Sequence, residues 1–178
     1  MLSNKNQVKG VLFMKKQSIK LMCVAGVFTA LVFVFTAYMH IPSYTGYVHI
    51  GDGLIYLAAC LLPTPYAVFV GAGGAFLADC LTGYAIWAPG SVIIKTAVAL
   101  LFSSKGKRIV NKRNSLMLIP ACAITVGGYY LYEAIITANF IAPVQGILGN
   151  ITQSVLSAVL FVAVGFAFDK LEVKQKLI

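Results

Sequence analysis

The chain has 178 residues, of which 60% are hydrophobic and 11% are charged, and its formal net charge at pH 7 is +9. A water-soluble domain of this size could not bury so much apolar surface, so the composition indicates an integral membrane protein. The basic residues lie in short segments beside apolar runs, so we expect no nucleic-acid partner.

Six apolar spans follow one another and predict an all-α bundle of six membrane helices, at residues 19–39, 54–62, 66–81, 90–102, 116–138 and 144–168. About twenty residues are needed to cross a bilayer, so the second and fourth spans are short. The start of the first span and the end of the sixth set the expected boundaries: a leader at 1–18, a membrane domain at 19–168 and a tail at 169–178. Met14-Lys15-Lys16 resembles a natural start, which leaves open whether translation begins at Met1 or Met14.

The positions of the basic residues predict the orientation. Lys and Arg lie before the first span, in the loop 103–115 (the basic loop) and in the tail, whereas the loops 40–52, 83–89 and 139–143 contain none. Because cytoplasmic loops are enriched in Lys and Arg, both termini and the basic loop are predicted to be cytoplasmic.

Small residues near the inner end of the first span form two overlapping pairs four residues apart, Ala25 with Thr29 and Gly26 with Ala30. Such pairs allow close helix approach, either within the chain or against another membrane subunit.

Four ionisable residues lie at or within the later spans: Asp52, Asp79, Lys95 and Glu133. Charge inside a membrane is costly and usually faces a bundle interior. Counting residues from the outer turns places all four at similar depth, in one outward-facing polar pocket. We expect Asp79 and Lys95 to be neighbours. The alternative is a purely structural Asp79–Lys95 ion pair, which leaves the other two carboxylates without a cationic partner.

Further polar and aromatic residues fall at the same level. Gly146, Asn150, Gln153 and Ser157 form an inward stripe on the sixth span. Tyr84, Trp87 and Tyr129 are candidates to stack on a flat ring, although an interfacial aromatic belt is the alternative. Tyr44, Tyr47 and His49 in the first outer loop are candidates for a gate. The predicted substrate-binding set is Asp52, Asp79, Tyr84, Trp87, Lys95, Tyr129, Glu133, Asn150 and Gln153.

Several catalytic motifs are absent from the sequence. It contains no GK[ST] of a phosphate-binding loop, no HExxH and no GxSxG. We therefore expect a binding protein rather than an enzyme, with no metal and no cofactor.

The stretches YVHIGDGLIYLAACLL and GAGGAFLADCLTGYAIWAPGSVIIKTAVALL, with the small-residue first helix, resemble the substrate-binding S components of energy-coupling factor (ECF) transporters. The nearest branch is the riboflavin-type or hydroxymethylpyrimidine/pyridoxine-type group. The resemblance implies a six-helix bundle in a bacterial plasma membrane that binds a vitamin or precursor at its outer face for ATP-driven uptake.

The resemblance also implies partners, namely a transmembrane coupling (T) protein and two ATPase subunits. It places the T-protein contact at Ala25, Gly26, Thr29 and Ala30. The acidic bias of the pocket favours pyridoxine or hydroxymethylpyrimidine; a deazapurine precursor and riboflavin stay open, and biotin and pantothenate fit less well. The alternatives are an autonomous secondary transporter and a non-transporting membrane scaffold or assembly protein.

Overall fold

A computed structural model of the protein describes residues 2–43 and 46–177, with side chains at 16–41 and 48–177. These residues form eight α-helices, one β-hairpin and one 3₁₀ turn: α1 (Leu2–Ala37), β1 (His40–Ser43), β2 (Gly46–His49), α2 (Gly51–Leu61), α3 (Thr64–Leu81), the 3₁₀ turn (Ala85–Trp87), α4 (Ala88–Leu101), α5 (Lys112–Leu116), α6 (Leu118–Thr137), α7 (Val144–Lys170) and α8 (Val173–Leu177). The predicted all-α class is confirmed, with one small antiparallel hairpin that pairs His40 with His49 at its base.

Four helical segments in the described part of the chain are long and apolar enough to cross a membrane: Lys16–Ala37, Thr64–Leu81, Lys112–Thr137 and Val144–Lys170. Two shorter apolar helical segments, Gly51–Leu61 and Ala85–Leu101, accompany them. The protein is therefore a multi-pass membrane protein by the length and composition of its helices. The count of six spans and the cytoplasmic position of both termini stay predictions.

Helix α2 is the centre of the bundle, and each of its eleven residues is buried. A helix that is apolar on all sides is stable only when other helices surround it. Here α1, α3, α4 and α7 all pack against it. Its length of about 16 Å is too short for a lipid-facing span, and burial inside the protein explains why it needs no more.

The far end of α2 is held by the C-terminal helix. The Lys174 ammonium, which is buried, donates to the Cys60 carbonyl at 2.7 Å. The last carbonyls of a helix have no partner within it, so this bond caps α2. Lys20 also donates to the Lys176 carbonyl at 2.8 Å. The expected tail is thus packed against the bundle rather than separate from it.

Helices α1 and α3 approach closely because α3 carries glycine at the contact. A Cβ on Gly74 would lie 2.6 Å from Cγ1 of Val32, so a larger side chain would force the helices apart. At the other end, α3 stops at Leu81, and Gly83 adopts φ of +88°, which glycine accepts without strain. Pro89 in the first turn of α4 then suits the start of the next helix. As predicted, α3 and α4 are packed neighbours.

Candidate functional site

A cavity of about 720 Å³, counted with its open mouth, lies at the end of the bundle where the β-hairpin, the 3₁₀ turn and the start of α7 meet. The structure brings all nine residues of the predicted substrate-binding set to its wall: Asp52, Asp79, Tyr84, Trp87, Lys95, Tyr129, Glu133, Asn150 and Gln153. They come from α2, α3, α4, α6, α7 and the turn before α4.

The floor of the cavity is a buried ion pair between α2 and α4. The Lys95 ammonium lies 2.8 Å from Oδ1 of Asp52 and 2.9 Å from Oδ2. The Gln153 side-chain amide of α7 donates to the same Oδ2 at 2.9 Å. Asp52 and Lys95 are 0% and 1% exposed, so the carboxylate and the ammonium compensate each other away from water.

The alternative of a structural Asp79–Lys95 ion pair is wrong, because the Lys95 ammonium binds Asp52. The two residues were predicted to lie at similar depth on either side of the turn. In fact α3 ends at Leu81, two residues after Asp79, whereas α4 begins at Ala88, seven residues before Lys95. A difference of five residues displaces Lys95 about 7 Å further along the helix axis, to the level of Asp52. Asp52, which that alternative would have left without a cationic partner, therefore has one.

Tyr129 of α6 connects the ion pair to the aromatic side of the cavity. The Lys95 ammonium lies 4.9 Å from the centroid of the Tyr129 ring, a cation–π distance. The Tyr129 hydroxyl is hydrogen-bonded to the Ser91 hydroxyl at 3.0 Å. The Trp87 ring lies 6.2 Å from the Tyr129 ring, tilted by 56°. Two aromatic faces are therefore held in place beside the buried charges.

Two carboxylates line the cavity apart from the Asp52–Lys95 pair. Asp79 on α3 and Glu133 on α6 are 5% and 7% exposed. Lys95 is the only Lys or Arg among the described lining residues. Three carboxylates and one ammonium give the lining a net charge of −2 with His49 neutral.

The predicted inward stripe on α7 is confirmed. Gly146 and Gln153 are buried and, with Asn150, line the cavity. Ser157 is fully buried one turn beyond Gln153, outside the lining. The cavity therefore occupies the first two to three turns of this helix.

The predicted gate is described only in part. His49 is buried in the cavity wall, and its Nδ1 accepts a hydrogen bond from the Gly51 amide at 3.1 Å. In this conformation it fixes the start of α2. Tyr44 and the side chain of Tyr47 lie outside the described residues, so gating stays a prediction.

The four predicted docking residues separate into two pairs. Ala25 and Thr29 are buried, and a Cβ on Gly74 of α3 would lie 3.2 Å from the Thr29 carbonyl oxygen. Their burial shows packing within the chain, one of the two alternatives that the sequence left open. Gly26 and Ala30, about 100° further around α1, are exposed, and nothing lies within 4 Å of a Cβ placed on Gly26.

Several lining residues were not predicted, among them Thr36, Ile55 and Ser91. Ser91 lies one helical turn before Lys95, and that spacing could have identified it. Thr36 at the end of α1 carried no comparable signal. No group of three His, Cys, Asp or Glu suited to a metal is found in the described segments.

One family model matches the chain, and it covers residues 16–170. Its description is "ECF-type riboflavin transporter, S component". A comparison with curated proteins gave no match.

Proposed function

Because the chain belongs to the family of S components of ECF-type riboflavin transporters, we propose that its cavity binds a small water-soluble nitrogen heterocycle, with pyridoxine or hydroxymethylpyrimidine favoured. S components are substrate-binding subunits rather than enzymes, and they work with a T protein and ATPases. We place the bound molecule at the outer face, from which ATP hydrolysis by the partners drives its uptake.

The charge of the lining carries this proposal. Lys95 is bound by both oxygens of Asp52, so its ammonium is engaged before a ligand enters. The carboxylates of Asp79 and Glu133 accept hydrogen bonds but cannot donate them. A ligand with amine, ring NH or hydroxyl groups matches such a wall. An anionic vitamin such as biotin or pantothenate would instead face a lining of net negative charge.

The aromatic wall supports a flat ring. Tyr84, Trp87 and Tyr129 all line the cavity, and stacking on such side chains favours planar molecules. Asn150 carries both a donor and an acceptor and would select the orientation of the ring. The ligand would then stack against the aromatic side and direct its donors toward Asp79 and Glu133.

Riboflavin is the second candidate, because the family description names it. Its ring NH and ribityl hydroxyls are donors that also suit the two carboxylates. Its ring carbonyls need donors in return, and Lys95, the one ammonium among the described lining residues, is already bound to Asp52. For this reason we rank riboflavin after the smaller amine- or hydroxyl-bearing heterocycles.

The experiment is a ligand search on the full chain purified in detergent. Mass spectrometry of the denatured protein identifies any small molecule that co-purifies. Calorimetric titration with pyridoxine, hydroxymethylpyrimidine and riboflavin follows, with biotin and pantothenate as anionic controls. We expect saturable one-to-one binding of a donor-rich heterocycle and none of the controls. Tight binding of an anionic control would overturn the charge argument.

Transport assays in reconstituted vesicles, together with the binding data, distinguish an S component from an autonomous transporter and from a scaffold. An S component should bind its ligand but accumulate it only when the T protein and ATPases are present with ATP. Accumulation by the chain alone would favour an autonomous transporter. Absence of binding across the panel, with no co-purified molecule, would favour a scaffold.

A further inference from the structure

The basic loop at the end of the bundle opposite the cavity is folded, although a simple connector would not need to be. Residues 103–115 contain no acidic residue and five basic residues. All five basic side chains are exposed: Lys105, Lys107, Arg108, Lys112 and Arg113.

Two buried or half-buried polar side chains hold the loop in one conformation. Asn114 is fully buried, and its amide donates to the carbonyls of Ser103 at 3.2 Å and Ile109 at 3.0 Å. Asp169 of α7 accepts hydrogen bonds from the amides of Ile109 at 2.7 Å and Val110 at 3.0 Å. Asp169 is thus committed to backbone amides of the loop rather than to the basic side chains.

An apolar contact draws the middle of the loop into the bundle. Ile109 is fully buried, and a Cβ on Gly165 of α7 would lie 2.7 Å from Cγ2 of Val110. Residues 109–110 therefore anchor the loop to α7. The exposed Lys107 and Arg108 precede this anchor in the chain, and the exposed Lys112 and Arg113 follow it.

The surroundings of the loop indicate a lipid surface rather than a protein. Leu116 and Ile119, immediately after the basic residues, are 60% and 72% exposed. Ile119 lies in an apolar helix that is long enough to cross a membrane. Side chains exposed on such a helix face acyl chains, so the basic groups just beyond them lie at the level of the headgroups.

We propose that the basic loop is a preformed site for anionic phospholipid headgroups, which bind Lys107, Arg108, Lys112 and Arg113 through their phosphates. Basic clusters at the end of a membrane helix attract such lipids. Arg and Lys donate charge-assisted hydrogen bonds to phosphate oxygens. The fold of the loop adds preorganisation, since Asn114 and Asp169 fix the backbone between the two pairs of basic residues before the lipid arrives.

The test compares lipid binding by the full chain and two charge-matched variants in detergent micelles. The probe is phosphatidylglycerol, titrated against a background of phosphatidylcholine, with the thermal midpoint of unfolding and native mass spectrometry as readouts. Lys107→Gln with Arg108→Gln removes two loop charges from exposed positions. Lys15→Gln with Lys16→Gln removes the same charge from the start of the first span.

We expect the loop variant to weaken phosphatidylglycerol binding, by up to about fivefold per basic side chain, and the control variant to change it by less than about twofold. Asp169→Asn keeps all five cations but loosens the loop, and should weaken binding as well. Equal losses in the loop and control variants would overturn the proposal, because they would reflect net charge alone. Undiminished lipid binding in the loop variant would also overturn it. Displacement of the lipid by inorganic phosphate at similar concentration would assign the site to free phosphate instead.

Discussion

The ion pair at the cavity floor can be tested with variants that distinguish Asp52 from Asp79 as the partner of Lys95. Lys95→Met leaves Asp52 buried, with the Gln153 amide as its remaining donor. Removing one partner of a buried ion pair typically costs roughly 3–5 kcal/mol, because the other charge stays desolvated. That is a large part of the roughly 5–15 kcal/mol that stabilises a typical domain. We therefore expect the single variant to be severely destabilised.

The second substitution identifies the partner. Asp52→Asn with Lys95→Met removes both charges together, and uncharged replacement of a buried pair is often close to neutral. The double variant should recover most of the lost stability. Asp79→Asn with Lys95→Met should recover none, since residues without a direct interaction contribute additively to within about 0.5 kcal/mol.

The assay is the free energy of unfolding in mixed detergent micelles for the wild type, the three single variants and the two double variants. Gel filtration supplies a second readout, the monodisperse fraction, for variants too unstable to titrate. If Asp79→Asn, but not Asp52→Asn, restored the stability lost in Lys95→Met, the Asp52–Lys95 pairing would be refuted. That result would instead identify Asp79, the neighbour predicted from the turn between α3 and α4, as the partner of Lys95.

Three further predictions concern the cavity, the first helix and the packing of α3. Asp79→Asn and Glu133→Gln should each weaken binding of an amine-bearing ligand about tenfold or more in calorimetric titration, because a hydrogen bond to a charged group contributes about 1.5–3 kcal/mol. Gly26→Leu should block capture of the T protein in a pull-down while the fold stays stable, whereas Ala25→Leu should destabilise the buried contact. Gly74→Leu should lower the free energy of unfolding by about 1–3 kcal/mol or more, because its Cβ would overlap Val32.

Each of these has an outcome that contradicts it. Unchanged affinity in both carboxylate variants would remove Asp79 and Glu133 from the ligand site. Normal capture of the T protein by Gly26→Leu would place the docking face elsewhere, and Ala30→Trp provides an independent second variant. A Gly74→Leu protein as stable as the wild type would mean that α1 and α3 are not in close contact.

Much of the cavity was predictable because the membrane makes polarity informative. A charged or amide side chain in an apolar span is costly to expose to lipid, so its position alone indicates the bundle interior. Asp52, Asp79, Lys95, Glu133 and Gln153 were identified in this way. Helical spacing along α7 then indicated which face turns inward.

The pairing was not predictable from the same signals. Distance from a turn gives depth only when it is counted from each helix end, and Asp79 lies two residues before the end of α3 whereas Lys95 lies seven residues after the start of α4. The central position of α2 was also hidden, since a short apolar run gives the same pattern whether protein or lipid surrounds it. Without knowing that α2 lies at the centre of the bundle, one cannot pair Asp52 with Lys95 from the sequence.

The docking face shows the same limit. Small-residue pairs indicate that something approaches closely, but not on which side of the helix. Ala25 with Thr29 and Gly26 with Ala30 differ by one position, which is a rotation of about 100° around α1. Only the packing of Gly74 against Thr29 and Val32 shows that the first pair serves the chain itself.

The identity of the partner of Lys95 decides which carboxylates a ligand meets. If Lys95 were bound to Asp79, the ligand would face Asp52 and Glu133 instead. With Lys95 bound to Asp52 at the floor, Asp79 and Glu133 line the wall on α3 and α6. The two arrangements have the same net charge but place the acceptors on different helices. Asp52→Asn should therefore act mainly on folding and Asp79→Asn mainly on affinity, so stability and affinity measured on both variants distinguish the arrangements.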